Sequence, residues 1–388
     1  MCSAAAVVSG LCFWASAIAA DGLDAIAGRA LFERAWVPAP SSTDSSDGLG
    51  PLFNARSCAT CHTGGRGARI VIDANGTSRI AGAVVRLGDG NGVTDPFYGL
   101  QLQTDAVPGL TPEARVSFMP KPRVEQLGPP LAPGISKSTR LAPSLLGRSA
   151  FATISDAEIH SRADPDDANG DGISGRANQT AQGIGRFGWK SAHATLEGQI
   201  AHAFAIDMGL SSPAAALPFG DCTPVETQCM AAATGESALN DNREISSAML
   251  TLVAAYLDTL PAAVRRDDAK ANVLFEQVGC AQCHVPTLTA PDGSKITAFT
   301  DLLLHDLGQE LDDGVGEPGV KSSEWRTAPL IISYARGAKR LYLHDGSASS
   351  VAQAVAKHGG EAAGSRDAFT ALTDYDKKKL TAYLENLK

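Results

Sequence analysis

The stretches Cys58–His62 (C-A-T-C-H) and Cys280–His284 (C-A-Q-C-H) decide the fold that we predict for this chain. In each stretch, cysteines three positions apart on one helical turn point the same way, so both sulfurs can reach the two vinyl groups of one haem. The histidine that follows brings an imidazole under the iron as an axial ligand. A single copy also matches a zinc half-site or a redox-active dithiol, but no further C-x-x-C pair exists to complete a zinc site. The sequence therefore predicts two covalent c-type haems, attached through Cys58, Cys61, His62, Cys280, Cys283 and His284.

Size and composition narrow the class of protein. The chain has 388 residues, 44% of them hydrophobic, and a formal net charge of −9. This length suits two domains, and the composition is not that of a disordered chain. The acidic balance argues against a nucleic-acid-binding protein, which needs a basic face. Surplus acidic charge usually serves solubility, and attraction to a basic partner protein is the alternative.

The first 20 residues resemble a targeting segment. They carry no charged side chain and end in the small residues of Ala17–Ala20. This pattern is typical of a secretory signal peptide with an A-x-A-type cleavage site, although the basic n-region is missing. An uncleaved membrane anchor is the alternative. Beyond residue 20 no stretch reaches about 18 uninterrupted apolar residues, so we predict a periplasmic protein with no membrane span in the mature chain.

Cysteine usage agrees with export. Two of the eight cysteines lie in the predicted signal peptide, and four belong to the haem motifs. The remaining two, Cys222 and Cys229, lie in a short loop that contains proline. Exported proteins tend to use every cysteine in a covalent link. We therefore predict a structural disulfide between Cys222 and Cys229, with two buried free thiols as the alternative.

A weak internal repeat surrounds the two motifs. A similar segment precedes each motif, and another closes each unit, which is the helical layout of a cytochrome c domain. The repeated segments are Leu31–Glu33, Ala255–Leu260, Leu274–Glu276 and Ala382–Leu387. The repeat predicts an N-terminal haem domain over 21–260 and a C-terminal haem domain over 270–388. These two domains follow the predicted signal peptide over 1–20.

The N-terminal unit is about twice as long as the C-terminal one, and the extra length contains strand-like segments. Arg69–Asp73 and Arg79–Val85 flank Asn75 and Gly76, a strong hairpin signal. Further candidate strands are Tyr98–Gln103 and Arg115–Pro120, and candidate helices are Leu196–Ile206, Glu244–Leu260, Val351–Lys357 and Asp376–Leu387. The predicted fold class is mainly α: two cytochrome c-like haem domains, the first enlarged by a small β insertion.

Two C-x-x-C-H units in an exported chain of this size resemble the bacterial di-haem cytochrome c peroxidase superfamily, which includes MauG-like enzymes. The chain is most similar to its di-haem oxidoreductase branch, which is also labelled thiol oxidoreductase. The matching stretches are Gly50–Cys58, Gly185–Lys190, Thr300–Gly308, Glu324–Leu330, Leu343–Gly346 and His358–Ala362. The resemblance implies a peroxidase-type oxidoreductase that acts on hydrogen peroxide at the N-terminal haem. Electrons enter through the C-terminal haem, from a small redox protein (a cytochrome or a cupredoxin) or from a protein substrate.

The axial ligands decide which haem does which work. An iron with both axial positions filled transfers electrons, whereas one with an open position binds peroxide. In the relatives a sixth ligand, Met or Tyr, follows the histidine of the HDG motif by about the spacing that separates His344 from His358. The resemblance therefore implies His358 as the sixth ligand of the C-terminal haem, a backbone-bonded turn residue being the alternative. We expect His305 and His344 to hydrogen-bond propionates or neighbouring groups.

Residues 189–209 resemble the relatives' stretch with an inter-haem tryptophan, a pocket glutamine and a pocket glutamate. The match implies that Trp189 is an electron relay, Gln199 a pocket donor and Asp207 the acid–base group, although the acid comes two positions earlier and is Asp. A buried carboxylate suits proton transfer between the peroxide oxygens. The alternatives are a core tryptophan and a helix-end aspartate. His202 as a sixth ligand would make both haems electron carriers.

The segment that starts at Asp167 reads D-x-N-x-D-G-x-S. Oxygen ligands at the alternate positions Asp167, Asn169 and Asp171, with a glycine at the turn, predict a Ca²⁺ loop. The twelfth position is Asn178 rather than Glu, so the loop is not a complete EF-hand, and an Asx- and Gly-rich surface turn is the alternative. The relatives' interdomain calcium favours the metal.

The sequence alone is compatible with three functions. The first is a peroxidase-like enzyme. The second is a non-enzymatic di-haem electron-transfer cytochrome. The third is a MauG-like oxidant of a partner protein.

Overall fold

The structure is a computed structural model that describes residues 22–43, 46–72, 78–118, 122–262, 268–331 and 340–387. The predicted signal peptide lies outside the described residues, and so does the predicted Asn75-Gly76 turn. In this described part of the chain, no helix combines the length and the apolar character that crossing a bilayer requires.

The helices of the described residues are mostly short. They are α1 (residues 22–33), α2 (Cys58–Cys61), α3 (Asp156–His160), α4 (Leu196–Met208), α5 (Thr227–Met230), α6 (Ser247–Asp258), α7 (Ala269–Gln277), α8 (Val351–Ala356), α9 (Ala363–Ala371) and α10 (Asp374–Leu384). The four helices predicted from the sequence correspond to α4, α6, α8 and α10. Side-chain caps on Thr195, Ser246, Ser350 and Thr373 begin these four helices.

The internal repeat has a matching physical contact in each half of the chain. In the first half, Phe32 of α1 packs against Tyr256 of α6 with ring centroids 5.1 Å apart. In the second half, Phe275 of α7 packs against Tyr383 of α10 at 6.3 Å. The Phe and Tyr positions of the repeated segments therefore join the helix before each motif to the helix that closes the unit.

The strands form small antiparallel sheets. They are β1 (Leu52–Phe53), β2 (Arg69–Ile72), β3 (Ser78–Ala81), β4 (Ala83–Gly88), β5 (Gln101–Leu102), β6 (Asp105–Ala106), β7 (Ala114–Phe118), β8 (Pro122–Gln126), β9 (Ser136–Leu141), β10 (Gln179–Thr180), β11 (Gly183–Ile184), β12 (Thr287–Thr289), β13 (Lys295–Thr297), β14 (Leu304–Asp306) and β15 (Glu324–Arg326). One sheet has three strands, in the order β5-β4-β9, and the other sheets of the described residues have two. The predicted hairpin is present as β2 and β3, with Ile70 opposite Ile80.

The prediction of a mainly α fold is wrong. Helices make up 31% of the described residues and strands 19%, spread over many small sheets. The helical segments were recognised, but the connections between them also form hairpins, such as β12–β13 and β14–β15 in the C-terminal half. Two- and three-residue strands are too short to show an alternating pattern, so the strand content predicted from the sequence was too low.

The two largest of the four hydrophobic cores in the described residues surround the helices. The larger packs α1, α4 and α6 around Phe204 and Trp36, and it also takes in Leu288, Leu302 and Leu303 from beyond the second motif. The smaller packs α7, α9 and α10 around Phe275. The segment that follows the second motif is therefore buried against the N-terminal half.

Glycine brings the end of α4 next to the first motif. Gly209 ends this helix with φ 67°, and a Cβ there would lie 2.6 Å from the Cα of Gly50. This close approach lets the carbonyl of Asp207 accept the backbone N–H groups of Asn54 and Ala55, just before Cys58. The predicted acid–base residue is thereby held beside the first haem motif.

Candidate functional site

A mainly apolar cavity lies beside the second C-x-x-C-H motif. Cys280, Cys283 and His284 line it on one side, and His358 lines it as well. The structure thus brings together the predicted proximal histidine and the predicted sixth ligand, which are 74 residues apart in the chain.

Two of the four histidines that line this cavity, His284 and His358, are held in the same tautomer. His284 Nδ1 lies 3.1 Å from the carbonyl oxygen of Phe299, and His358 Nδ1 lies 2.8 Å from that of Ala354. A carbonyl only accepts hydrogen bonds, so each Nδ1 carries the proton and each Nε2 keeps its lone pair. Burial lowers the pKa of His284 to about 4 and also lowers the pKa of His358. Neutral imidazoles oriented by a backbone carbonyl are the usual form of histidine metal ligands.

The first motif forms a single helical turn. Ser57 caps α2 by accepting the backbone N–H of Thr60. Burial lowers the pKa of His62 to about 4, against a smaller opposing effect of the Pro143 carbonyl. His62 is therefore neutral at pH 7, as a ligand must be.

The cysteine environments disfavour thiolates. Burial raises the pKa of Cys58 to about 12, with further contributions from Cys61 and Asp207, and burial likewise raises the pKa of Cys280 to about 12. A zinc site or a reactive dithiol needs a thiolate. The surroundings of Cys58 and Cys280 suit uncharged thioethers.

A polar cluster faces α4 on the N-terminal side. Gln101 on β5 donates to Asp207 Oδ1 at 2.9 Å. Burial raises the pKa of Asp207, although Gln101 and then Arg86 oppose the shift. Gln199 also belongs to α4, and its Oε1 is buried with no hydrogen-bond partner among the described residues.

His202 is engaged by an arginine from the sheet. Arg86 Nη2 on β4 lies 3.0 Å from His202 Nε2, and because arginine only donates, Nε2 accepts this hydrogen bond. The ring of His193 lies 4.8 Å away. Burial, then Arg86 and His193, lower the pKa of His202 well below its ordinary value. The nitrogen with which His202 would bind iron is therefore occupied.

Trp189 lies in an aromatic cluster at the edge of the C-terminal cavity. Its indole Nε1 donates to the carbonyl of Leu141 at 2.9 Å. Its ring meets Trp325 and His344 edge-on, each at 6.4 Å, while Trp325 and His344 stack at 3.9 Å. The sequence-predicted relay thus contacts a second tryptophan and a histidine that the sequence analysis did not connect to it.

A buried lysine closes the other face of Trp325. Lys190 Nζ lies 3.8 Å from the centroid of this ring and donates to the carbonyls of Lys321, Ser322 and Glu324. Burial, followed by repulsion from Arg140, lowers the pKa of Lys190 to about 8. Lys190 and His344 both lie within 4 Å of the ring centroid, so they occupy opposite faces of Trp325.

His305 lies beside Cys283 and contacts two carboxylates, Asp301 and Glu361. We call these three side chains the buried clamp. His305 Nε2 lies 2.9 Å from Asp301 Oδ2, and its Nδ1 lies 2.7 Å from Glu361 Oε2 and 3.8 Å from Cys283 Sγ. Burial alone would lower the pKa of His305, but the hydrogen bonds to Asp301, Cys283 and Glu361 raise it to about 12. Cys283, Asp301 and His305 are close enough together to hold a metal ion, but the protonated ring has no free lone pair.

The predicted Ca²⁺ loop touches the same clamp. Ser174, at the end of the loop, donates its backbone N–H to Glu361 at 3.0 Å. Within the loop, Asp167 accepts the N–H of Gly172, Asn169 accepts that of Asp171, and Asp171 accepts that of Ile173. These are local Asx-turn contacts. The Ca²⁺ site stays a prediction.

The loop with the remaining cysteine pair braces the polar cluster. Cys222 and Cys229 form a disulfide. The adjacent Asp221 accepts the backbone N–H groups of Leu100 and Gln101 at 2.8 and 2.7 Å. The disulfide loop therefore holds the strand that presents Gln101 to Asp207.

A family model described as "Di-haem oxidoreductase, putative peroxidase" matches residues 7–93 and 134–387. The chain belongs to this di-haem oxidoreductase family. The family implies haem cofactors and an oxidoreductase activity of the peroxidase kind. No curated protein and no solved structure matches the chain.

The residues of this di-haem oxidoreductase fit its cofactors. The C-terminal cavity combines the two cysteines of one motif with two neutral imidazoles whose Nε2 atoms are unprotonated. On the N-terminal side, the Oε1 of Gln199 is buried and has no donor among the described residues, so it is available to a group bound in the pocket that can donate. These features are those of a chain folded to enclose haem.

Part of the N-terminal polar cluster comes from outside the family match. Residues 94–133 are unmatched and contain β5, which carries Gln101. The sequence analysis missed Gln101 and Arg86, because each occupies an ordinary strand position and nothing local marks it as a partner of α4. Only the pairing of β4 with β5 and β9 brings these two side chains to Asp207 and His202.

Proposed function

We propose that this protein is an exported, periplasmic di-haem c-type oxidoreductase that uses hydrogen peroxide as its oxidant. His62 would be the proximal ligand of the N-terminal haem, and His284 and His358 the two axial ligands of the C-terminal haem. The attachment residues would be Cys58, Cys61, Cys280 and Cys283. When bound, a six-coordinate haem supplies one-electron transfer, and a five-coordinate haem supplies an iron site open to peroxide.

The observation that carries the proposal is the difference between the two sites in imidazole supply. Four histidines line the C-terminal cavity, and two of them, His284 and His358, have an unprotonated Nε2 because a backbone carbonyl accepts from Nδ1. On the N-terminal side, the candidate sixth ligand from the sequence is His202, and its Nε2 accepts a hydrogen bond from Arg86. This asymmetry supports an electron-transfer haem at the C-terminal motif and a reactive haem at the N-terminal motif.

The N-terminal polar residues have the properties that peroxide cleavage needs. Asp207 is a carboxyl whose pKa is raised by burial and whose position is set by Gln101. Such a group can take a proton from one peroxide oxygen and return it to the other, which is typically worth about 10²–10⁴ in rate. Gln199 would orient the oxidant, and Arg86 keeps His202 away from the iron.

Electron delivery would use the aromatic cluster and an external donor. Trp189 lines the C-terminal cavity, and it precedes the helix α4 that carries Gln199. A relay through Trp189 would shorten the path between the haems. The net charge of −9 favours a small redox protein with a basic face, a cytochrome or a cupredoxin, as the donor. A protein substrate oxidised in the manner of MauG-like enzymes is the alternative source of electrons.

The loop of Asp167, Asn169 and Asp171 is proposed as a Ca²⁺ site because it offers oxygen ligands at alternate positions. Its contact to Glu361 through Ser174 would connect that site to the C-terminal cavity. Calorimetric titration with Ca²⁺ of the native protein and of Asp171→Ala tests this. Equal heats from both would refute the site.

Electron paramagnetic resonance of the ferric protein, with and without peroxide, tests the proposed function. We expect one high-spin and one low-spin signal, and loss of the high-spin signal when peroxide is added. His62→Gly should abolish the reaction with peroxide, while His358→Ala should mainly shift the potential of the other haem. Two low-spin signals that are inert to peroxide would instead indicate an electron-transfer cytochrome. The reverse effects of the two substitutions would show that the haem roles are exchanged.

A further inference from the structure

Arg148 and Arg326 are half-buried arginines with no salt bridge to a carboxylate among the described residues. The buried guanidiniums of Arg140 and Arg186 pair with carboxylates. Arg148 and Arg326 hydrogen-bond only to backbone carbonyls among the described residues. Even partial burial of a cation without an anion is costly, so the partners of this pair are incomplete.

Arg326 lines the C-terminal cavity. Its Nε donates to the carbonyl of Gly188 at 2.8 Å and its Nη1 to that of Thr327 at 3.2 Å. Two other arginines line the same cavity, and both have carboxylate partners of their own: Arg340 pairs with Glu385 and Arg366 with Asp367.

Arg148 approaches the same segment from the side of the first motif. Its Nη2 donates to the carbonyls of Pro329 and Ile331, each at 3.2 Å. Its Nη1 is buried and has no partner among the described residues. Burial, followed by repulsion from Arg326, lowers the pKa of Arg148 to about 9, so the two charges act on one another.

The carboxylate that acts on Arg326 already has hydrogen-bond partners of its own. Asp301 acts on Arg326 electrostatically, but its two oxygens accept hydrogen bonds from His305 and from the backbone of Leu303. His305 itself lies against Cys283, which would carry a thioether, and the propionates leave a porphyrin at the edge opposite its vinyl-derived thioethers. His305 is also flanked by two carboxylates, which would repel a third.

We propose that Arg326, supported by the neighbouring Arg148, binds the propionate carboxylates of the haem held at the second motif. The inference rests on the proposed function, because it needs haem at the second motif. Guanidinium groups bind carboxylates through paired, charge-assisted hydrogen bonds, and the unpartnered Nη1 of Arg148 supplies a free donor for one. The charge of the pair is then compensated in the haem-loaded protein.

Spectroelectrochemical titration of the C-terminal haem between pH 5 and pH 9 tests the proposal. Loss of a cation beside the haem favours the ferric state, so Arg326→Met should lower its midpoint potential. We expect a shift of at least tenfold in the reduction equilibrium, about 59 mV for one electron. A new pH-dependent step should appear as a propionate titrates. Arg326→Lys, which keeps the charge, and Arg162→Met, which removes an arginine outside the cavity that pairs with Glu158, should leave the potential unchanged.

The results that would contradict this inference differ from those that would contradict the proposed function. If Arg326→Met and Arg148→Met lower the melting temperature but leave the potential and its pH dependence unchanged, the arginines only brace residues 326–331, and the proposal is wrong. Arg148→Met carries the same test if Arg326→Met does not fold. A haemochrome assay that finds fewer than two haems defeats the proposed function itself. Two haems, a normal peroxide reaction and an unshifted potential defeat this inference alone.

Discussion

Replacing His305 with glutamine isolates the charge of the buried clamp. Glutamine keeps a hydrogen-bond donor for one neighbour but carries no charge, so Asp301 and Glu361 lose the imidazolium between them. Both carboxylates are mostly buried, at 2% and 10% side-chain exposure. Removing one partner of a buried ionic cluster costs about 3–5 kcal/mol. We expect His305→Gln to lower the free energy of unfolding by that amount at pH 7.

The pH dependence gives a second and sharper expectation. The pKa of His305 is raised from 6.5 to about 12 on folding, so its stabilising effect is complete below pH 6.5 and is lost as the pH rises toward 12. In that window the native state holds one proton more than the unfolded state, which lowers stability by about 1.4 kcal/mol per pH unit. Between pH 7 and pH 9 the native protein should therefore lose about 2.7 kcal/mol more than His305→Gln.

Urea unfolding followed by tryptophan fluorescence, at pH 7 and pH 9, measures both effects. His160→Gln, at an exposed histidine, is the matched control and should behave like the native protein. The reasoning fails if His305→Gln costs less than about 1 kcal/mol at pH 7. It also fails if the native protein and the variant lose equal stability between the two pH values.

Three other sites have defined expectations. Asp207→Asn should slow the peroxide reaction about 10²–10⁴-fold in stopped-flow measurements, because an amide cannot accept the proton; an unchanged rate would remove Asp207 from the mechanism. The double change Cys222→Ser and Cys229→Ser should lower the unfolding free energy by about 2.5 kcal/mol for so short a loop, and calorimetry that finds no loss would contradict this. Lys190→Met leaves three carbonyls without their donor and should lower the free energy of unfolding by about 3 kcal/mol. A variant whose melting temperature equals that of the native protein would show that the ammonium is dispensable.

Several features of the site were predictable because their information is local. Each C-x-x-C-H motif predicts haem attachment from five consecutive residues. The helix α4 carries its own cap at Thr195 and its own stop at Gly209, so its position was predicted to within two residues at its C-terminal end. The hairpin of β2 and β3 was also recognised, from the turn signal between its strands.

Other features had no local signal. His305 and Glu361 are 56 residues apart, and each reads by itself as an ordinary polar residue. Arg86 reaches His202 across 116 residues, through the pairing of β4 in its sheet. Lys190 and His344 meet on opposite faces of Trp325 only because distant segments pack together. The balance of helix and strand was wrong for a related reason, since very short strands exist only as partners of one another.

The sequence by itself determined the two haem motifs, the helices around them and the family of the protein, because spacing, caps and periodicity act over a few neighbouring residues. Only the tertiary structure decided which polar groups surround each motif: Gln101 at Asp207, Arg86 at His202, and the unpaired arginines beside the C-terminal cavity. The reason is physical. Burial and charge pairing depend on which distant segments meet when the core closes, and no single segment of the chain encodes that meeting alone.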